Sequence, residues 1–179
     1  MHINFIYIYK MEYLDIDETD IRLLDALQSD ASQSNQALAK MTHISPPTCL
    51  RRVKRLKDAG LVEREIAILS PDKLAHITGH GLTAIVEITL DRQGDEHVMA
   101  FEQRLGAEAA VQQCYRVSPG PDFVLIVHVA NMPDYLGLSQ KLFTGDANVR
   151  NVKAFFSVKR SKFQPKVLVS QLKRALAAH

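Results

Sequence analysis

The sequence lacks the features that mark metal-binding and membrane-spanning proteins. It has two cysteines, Cys49 and Cys114, which lie far apart and outside any metal-ligand spacing. This indicates free thiols in a reducing compartment. No apolar run approaches the roughly 20 residues that span a bilayer. The opening MHINFIYIYK has a short apolar core, no preceding cation and no small-residue cleavage site. We therefore expect no signal peptide and predict a cytoplasmic location, with either Met1 or Met11 as the start.

Catalytic and cofactor motifs are also missing. The stretch GHGLTA at 79–84 lacks the final glycine and the preceding strand of a dinucleotide fingerprint, and the chain has no P-loop and no G-x-S-x-G elbow. His76 and His80 are four residues apart, but two nearby glycines disfavour a helix there and no third ligand is evident. The sequence therefore predicts no enzymatic activity, no cofactor and no metal site.

The net positive charge is small, but cations are concentrated in one segment. The formal net charge is only +2, so any affinity for nucleic acid has to come from a local patch. Shortly after SPPT at 45–48, the seven positions 51–57 hold five cations: Arg51, Arg52, Lys54, Arg55 and Lys57. At helical spacing, one face carries Thr48, Arg51, Arg52 and Arg55. The other face carries Cys49, Val53, Leu56 and Gly60, with Leu50 at its edge.

This cationic helix has two interpretations. A run of cations on a helix is often only a solvated face. Here a short helix and a tight turn precede it, which favours a helix-turn-helix whose last helix enters the major groove of DNA. We predict the first helix at 18–29, capped by Asp17, with Asp20 in its first turn. A second begins near Ser34, and a third follows SPP and ends at Gly60. In the second helix, the residues expected to face inward are Ala37, Leu38 and Met41.

The second half of the chain changes its periodicity. LVEREIAILS at 61–70 predicts an extended linker strand, and LTAIVEITL at 82–90 alternates with a period of two. A helix at 94–106, capped by Asp95, and another at 132–145 are separated by two strands around the turn SPGP; a last strand lies at 149–163. The order strand, helix, strand, strand, helix, strand predicts a ferredoxin-like α+β domain. The predicted divisions are an N-terminal extension (1–13), the helix-turn-helix (14–61), a linker (62–80), the ferredoxin-like domain (81–163) and an amphipathic C-terminal extension (164–179).

These segments resemble a known family. ISPPTCLRRVKRLKDAGLVER is similar to the recognition helix of the leucine-responsive and asparagine-responsive (Lrp/AsnC) regulators, and IDETDIRLLDALQSDA resembles their opening helix. The similarity extends over about residues 14–160. It implies a bacterial or archaeal transcription factor that binds double-stranded DNA, forms dimers through its second domain and often octamers, and commonly responds to an amino acid. The predicted DNA-binding residues are Ser34, Asn35, Ser45, Thr48, Arg51, Arg52, Lys54, Arg55 and Lys57.

Two positions depart from the family pattern. His43 stands where the helix-turn-helix turn usually has glycine, which predicts a left-handed backbone at a residue that tolerates it less well. The family's effector turn is replaced by VSPGPDF, in which the glycine comes one place late. The predicted effector-binding residues are Ser118, Gly120, Asp122 and Phe123. Equally, the prolines here could stiffen a hairpin that Asp122 caps.

The function predicted from the sequence is a sequence-specific DNA-binding transcription regulator that forms at least a homodimer. An alternative is a small-molecule-binding oligomer whose helical domain serves assembly, and a further one is an enzyme of the ferredoxin-like type. Binding to duplex DNA separates the first from the second, and turnover of a substrate identifies the third.

Overall fold

The computed structural model describes residues 15–169. Within this range the chain forms two compact units. The helical unit contains residues 15–67 together with 164–169, and the sheet unit contains residues 68–163. No helix within residues 15–169 is long and apolar enough to cross a membrane. The predicted N-terminal extension and most of the predicted C-terminal amphipathic segment lie outside the described residues.

Three helices form the helical unit, and local sequence signals set their starts: α1 (Glu18–Ser29), α2 (Asn35–Thr42) and α3 (Pro46–Asp58). The Asp17 carboxylate accepts hydrogen bonds from the backbone N–H groups of Thr19 and Asp20, and the Asp20 carboxylate accepts one from the backbone N–H of Asp17. This reciprocal arrangement is a capping box. Ser34 caps α2 and Ser45 caps α3. Two prolines begin α3, where their missing N–H groups cost no hydrogen bond within the helix.

The core of the helical unit is small. Its fully buried residues include Leu23, Cys49 and Leu56. Met41, predicted to face inward, is 53% exposed. The buried stripe of α2 passes through Leu38, Ala39 and Thr42, and at 100° per residue Met41 lies about 100° from its centre.

His43 has the predicted left-handed backbone, with φ 58° and ψ 42°, and ends α2. Glycine adopts this conformation without steric cost, but it also has more freedom in the unfolded chain. These effects oppose each other, so we expect His43→Gly to change the free energy of unfolding by no more than about 1 kcal/mol, with stabilisation favoured. Thermal unfolding of the variant checks this. A clear loss of stability would mean that the imidazole makes a contact that compensates its strain.

The linker differs from the prediction. Residues 61–70 form no strand, because no neighbouring strand in the described chain offers them a ladder of hydrogen bonds. A helix, α4 (Pro71–Thr78), follows, and the sequence interpretation missed it. Ser70 caps it, Pro71 occupies its first position, and Gly79 ends it with φ +76°. His76 therefore lies in α4, whereas His80 lies beyond its end.

The sheet unit has four antiparallel strands and two helices: β1 (Leu82–Leu90), α5 (Asp95–Gly106), β2 (Val111–Arg116), β3 (Phe123–Val129), α6 (Met132–Ser139) and β4 (Val149–Phe156). A π-helical turn, Gln140–Thr144, continues α6. The strand order is β2-β3-β1-β4, which is the ferredoxin-like arrangement that the sequence predicts. Apolar residues of one sheet face pack against α5 and α6, with Phe101, Phe123 and Phe143 fully buried.

Two details of this unit were predicted wrongly. The last strand ends at Phe156 instead of extending to Phe163, because Phe156 pairs with Ala84 close to the start of β1, where the ladder runs out. Asp95 does not cap α5: Gly94 occupies the cap position, and no side chain makes a capping hydrogen bond. The Asp95 carboxylate instead lies in the first turn, where the helix dipole favours negative charge.

The C-terminal residues of the helical unit are held against α1. The Gln28 side chain donates a hydrogen bond to the Val167 carbonyl (2.8 Å) and accepts one from the Val167 N–H (2.9 Å). Lys166 donates to the Ser29 hydroxyl at 2.9 Å. Val167 and Leu168 are nevertheless 60% and 58% exposed, so hydrogen bonds rather than apolar burial fix this segment.

Candidate nucleic-acid interface

Three of the predicted DNA-binding residues build the start of α3. The Asn35 side chain donates a hydrogen bond to the Pro46 carbonyl at 2.8 Å and so joins the first turns of α2 and α3. Ser45 accepts from the backbone N–H of Thr48, and the two hydroxyl groups are 2.8 Å apart. Ser34 caps α2 in the same way. These polar residues fix the helix-turn-helix geometry and leave the N-terminus of α3 at the surface.

Two of the three arginines on α3 are bound to acidic groups of α1. Arg52 donates to Asp17 (2.7 Å) and Asp20 (2.9 Å), and Arg55 donates to Asp20 (2.5 Å). The Asp20 carboxylate is fully buried. Hydrogen bonds to Asp20 and then Asp17 raise the pKa of Arg52 above its usual value. The backbone N–H of Asp20, followed by the Arg52 guanidinium, lowers the pKa of Asp17.

The two lysines of the cationic face pair at the surface. Lys54 contacts Asp58 at 2.7 Å one turn further along α3, and Lys57 contacts Glu65 at 2.7 Å. Exposed pairs of this kind contribute about 0–1 kcal/mol and are easily exchanged for other anions. Both lysines are therefore available to phosphate groups.

The outward face of α3 centres on Arg51. Arg51 is exposed and makes no hydrogen bond or ion pair with any residue in the described part of the chain. Beside it, Leu50 is 61% exposed, although the sequence interpretation placed it at the edge of the apolar back. On a helical wheel anchored at the buried Cys49 and Leu56, Leu50 lies about 110° from the buried direction and Arg51 about 150°. A helical wheel centred on Cys49 and Leu56 alone would have placed Leu50 outside the apolar face.

The predicted effector turn is a mixture of exposed and buried groups. Ser118 and Gly120 are exposed, Gly120 has φ +126°, and no described atom lies within 4 Å of the position of a Cβ there. The Asp122 carboxylate accepts from the Leu90 N–H at 2.7 Å, so it is bound to the end of β1, an interior strand, and not to the backbone of its own hairpin. Phe123 is fully buried against Phe101, with ring centroids 5.5 Å apart. Its position supports packing, not contact with a ligand.

The sheet face opposite α5 and α6 is partly apolar. Ile85 at its centre pairs with Ile126 on β3 and Phe155 on β4, and directly paired residues share a face. Ile85 is 39% exposed, and Phe155 and Tyr115 are each 53% exposed. We call this surface the outer sheet face. Its apolar residues are Ile85, Tyr115, Val124, Ile126 and Phe155, and the directly paired Glu87 and Lys153 lie on the same face.

A helix-turn-helix with an exposed cationic helix, followed by a ferredoxin-like unit, suits a DNA-binding protein with a second, separate domain, although the fold alone does not determine the activity. Comparison with protein families gives the same two parts: a winged helix-turn-helix DNA-binding domain matches residues 16–63, and the Lrp/AsnC ligand binding domain matches residues 83–167. The chain belongs to the Lrp/AsnC family of transcriptional regulators, which are not enzymes.

Individual relatives agree with this assignment. The chain is 34% identical over 151 residues to a leucine-responsive regulatory protein of Haemophilus influenzae, covering 83% of this chain and 89% of that protein. It is 30% identical over 160 residues to an uncharacterised HTH-type transcriptional regulator of the same organism, covering 89% and 92%. A solved transcriptional regulator from Neisseria meningitidis in complex with L-Met superposes with a TM-score of 0.76 at 25% identity, covering 88% of this chain and 99% of that chain.

Proposed function

We propose that this regulator reads a near-palindromic DNA site as a homodimer and that an amino acid changes its occupancy. The observation that supports the DNA interface is Arg51, which is exposed on the outward face of α3 and has no partner among residues 15–169. An arginine in the major groove donates two hydrogen bonds to guanine O6 and N7. Lys54 and Lys57 flank it and suit phosphates, and the capped N-terminus of α3 adds backbone donors.

Two recognition helices in a two-fold dimer would contact half-sites roughly 34 Å or a multiple of it apart. The decisive experiment is duplex binding to genomic fragments over a range of salt concentrations, followed by mapping of the bound sites. Specific binding that weakens steeply with salt supports the proposal. A helical domain that serves only assembly would give no such binding.

Leu50 provides a further readout of this interface, since an exposed apolar side chain next to Arg51 can contact a thymine methyl group. We expect Leu50→Ala to weaken binding to the specific site by about 1 kcal/mol, from lost apolar contact. The same variant should have no effect on a site in which uracil replaces thymine, because uracil lacks that methyl group. Titration of the parent and of Leu50→Ala with the thymine and uracil duplexes forms a double-mutant cycle, which gives the coupling free energy between the Leu50 side chain and the thymine methyl group. If the two losses of binding free energy are simply additive, Leu50 does not contact that methyl group.

The effector part of the proposal places a free amino acid at the turn 117–122. The family's ligand-binding domain includes this turn, and a similar structure holds L-Met. The exposed Ser118 and the open space at Gly120 allow backbone to approach a ligand closely. A carboxylate at Asp122 can accept from an α-ammonium group with the oxygen that Leu90 leaves available.

Two substitutions at Asp122 separate its structural role from its ligand role. Asp122→Ala removes the acceptor of the Leu90 N–H and should cost about 1–3 kcal/mol of stability. Asp122→Asn keeps an acceptor but loses the charge, so the fold should survive while amino-acid binding weakens about tenfold or more. Calorimetric titration of the standard amino acids into the parent and both variants measures this. If the parent binds an amino acid and Asp122→Asn binds it equally well, the carboxylate has no ligand role.

The homodimer is proposed to form through the outer sheet face. Ile85, Phe155 and Tyr115 place an apolar cluster on a surface that, within the sheet unit, faces away from both of its packed helices. Apolar residues at the centre of such a patch are the usual basis of a two-fold interface. Sedimentation velocity at micromolar concentration tests for the dimer and, at higher concentration, for larger assemblies such as an octamer.

A further inference from the structure

The buried Asp20 carboxylate has a role that the cationic pattern of α3 does not reveal. Both of its oxygens are engaged by arginines from α3: Oδ1 accepts from Arg52 Nη1 at 2.9 Å, and Oδ2 accepts from Arg55 Nη2 at 2.5 Å. Oδ2 also accepts from the Asp17 N–H at 3.2 Å. The carboxylate therefore joins the start of α1 to two successive turns of α3.

Burial makes this junction hard to release. A carboxylate with no exposed surface requires paired, hydrogen-bonded cations, because an uncompensated charge in the interior is strongly disfavoured. The two arginines are themselves partly shielded from solvent: the side chain of Arg52 is 26% exposed and that of Arg55 is 40% exposed. Arg55 Nε is buried and has no hydrogen-bond partner in the described part of the chain, which indicates that the bond to Asp20 sets the position of this guanidinium. Moving either arginine to a DNA phosphate would leave Asp20 buried with half of its compensation.

The cations of α3 thus fall into two groups. Arg52 and Arg55 are held by a buried acid, and Asp17 adds a second acceptor for Arg52. Arg51 has no acceptor among residues 15–169, and Lys54 has only an exposed, exchangeable one. Asp15, Asp17 and the three arginines line an open cleft beside Asp20. Arg52 and Arg55 therefore also border the surface.

We propose that Asp20 is a positioning residue for DNA reading: it uses Arg52 and Arg55 to fix the pose of α3, so that these two arginines do not neutralise phosphates. This inference rests on the proposed DNA-binding function and narrows the set of contacting residues. If Asp20 fixes the orientation of α3, the helix enters the groove with Arg51 and Lys54 facing the DNA. The proposal also implies that Asp20 limits non-specific affinity by keeping two cations from the phosphate backbone.

The salt dependence of binding distinguishes a held arginine from a phosphate-binding one. The logarithm of the binding constant falls with the logarithm of salt concentration, with a slope of about 0.9 per neutralised phosphate. Removing a cation that contacts a phosphate therefore lowers the slope, whereas removing one that only positions the helix does not. Loss of fold stability alone changes affinity without steepening this slope.

The experiment measures binding to a specific and an unrelated duplex over a salt series, for the parent and five variants. Lys54→Gln should lower the slope by about 0.9 for each phosphate it contacts. Arg52→Gln and Arg55→Gln should leave the slope unchanged but reduce the ratio of specific to non-specific affinity tenfold or more. Asp20→Asn should free both arginines and steepen the slope by up to about 1.8 per helical unit. It should also raise non-specific affinity while the specificity ratio falls.

The matched control is Asp58→Asn, which removes the same charge from the same unit. Asp58 pairs with Lys54 at the surface, where both side chains are mostly exposed, so its neutralisation frees no held arginine. It should leave the specificity ratio unchanged. Circular dichroism and thermal unfolding confirm that each variant is folded at the temperature of the assay. If Asp20→Asn does not fold, Arg52→Gln decides the question, because Arg52 is partly exposed.

The outcomes are distinct. A slope for Arg52→Gln that falls as far as that for Lys54→Gln overturns the proposal, because Arg52 would then contact a phosphate. An Asp20→Asn variant that folds and shows the slope and specificity ratio of the parent also overturns it. If the parent itself binds no duplex in a salt-dependent manner, the proposed DNA-binding function fails instead.

Discussion

Arg51→Ala is expected to weaken binding to the specific DNA site by about 1–3 kcal/mol, which is roughly five- to 150-fold, while changing non-specific binding far less. Among the arginines of α3, Arg51 alone has no acidic partner within the described chain. Its guanidinium is therefore available to a base without the loss of an internal contact.

A matched arginine provides the control. Arg64 is also exposed, but it lies beyond α3 and pairs with Glu63. Arg64→Ala should leave specific affinity within about twofold of the parent, since an exposed pair contributes little. Fluorescence anisotropy with the mapped site and with an unrelated duplex measures both variants. Equal losses on both duplexes would assign Arg51 to a phosphate, and no loss would show that Arg51 contacts neither a base nor a phosphate.

Elements with a strong local signal were predictable from the sequence. The capping box of α1 and its apolar spacing gave the correct bounds, Glu18–Ser29, and the strict alternation of β1 gave Leu82–Leu90. The left-handed conformation of His43 followed from its place in the turn. In each case the residues that determine the structure are close together in the sequence, so periodicity and capping contain the necessary information.

Features that depend on distant residues were not predictable in this way. Asp20 reads as a first-turn acid that favours the helix dipole, yet its carboxylate is buried beneath two arginines more than thirty residues further on. The same contacts divide the cationic face, which by spacing alone looks uniform. Likewise, Phe123 is the last residue of the predicted effector turn but belongs to the core, because pairing with Ile88 and Arg116 fixes which face it occupies.

The missed α4 illustrates a weaker local signal. Its cap, Ser70, and its first residue, Pro71, are good start signals, but the helix has only eight residues. No described side chain of α4 is buried, so the helix has no apolar stripe that packs against a core and would reveal it in the sequence. The two glycines near His76 and His80 also disfavoured a helix in the sequence interpretation. Gly79 ends this helix; it does not prevent it.

Ile85→Lys is expected to have the largest effect of all, because a two-fold interface through the outer sheet face would contain the substitution twice. Ile85 lies at the centre of that face, between Ile126 and Phe155. Burying an ammonium group at the apolar centre of an interface costs several kcal/mol, so the dimer dissociation constant should rise by about 10³-fold or more. The separated chains would bind DNA with one helix-turn-helix each and lose about 10²–10⁴-fold in overall affinity.

The fold itself should tolerate this change. The Ile85 side chain is 39% exposed in the isolated chain, so a lysine can reach water, and the cost in strand preference is about 1 kcal/mol or less. Met99→Lys is the matched control: Met99 is 52% exposed on α5, on the opposite side of the sheet, and its replacement should leave both assembly and DNA affinity unchanged. Sedimentation velocity gives the oligomeric state of each variant, and anisotropy gives its affinity. A dimer that persists in Ile85→Lys with undiminished DNA binding would show that the chains associate through a different surface, and the apolar residues of the outer sheet face would then need another explanation.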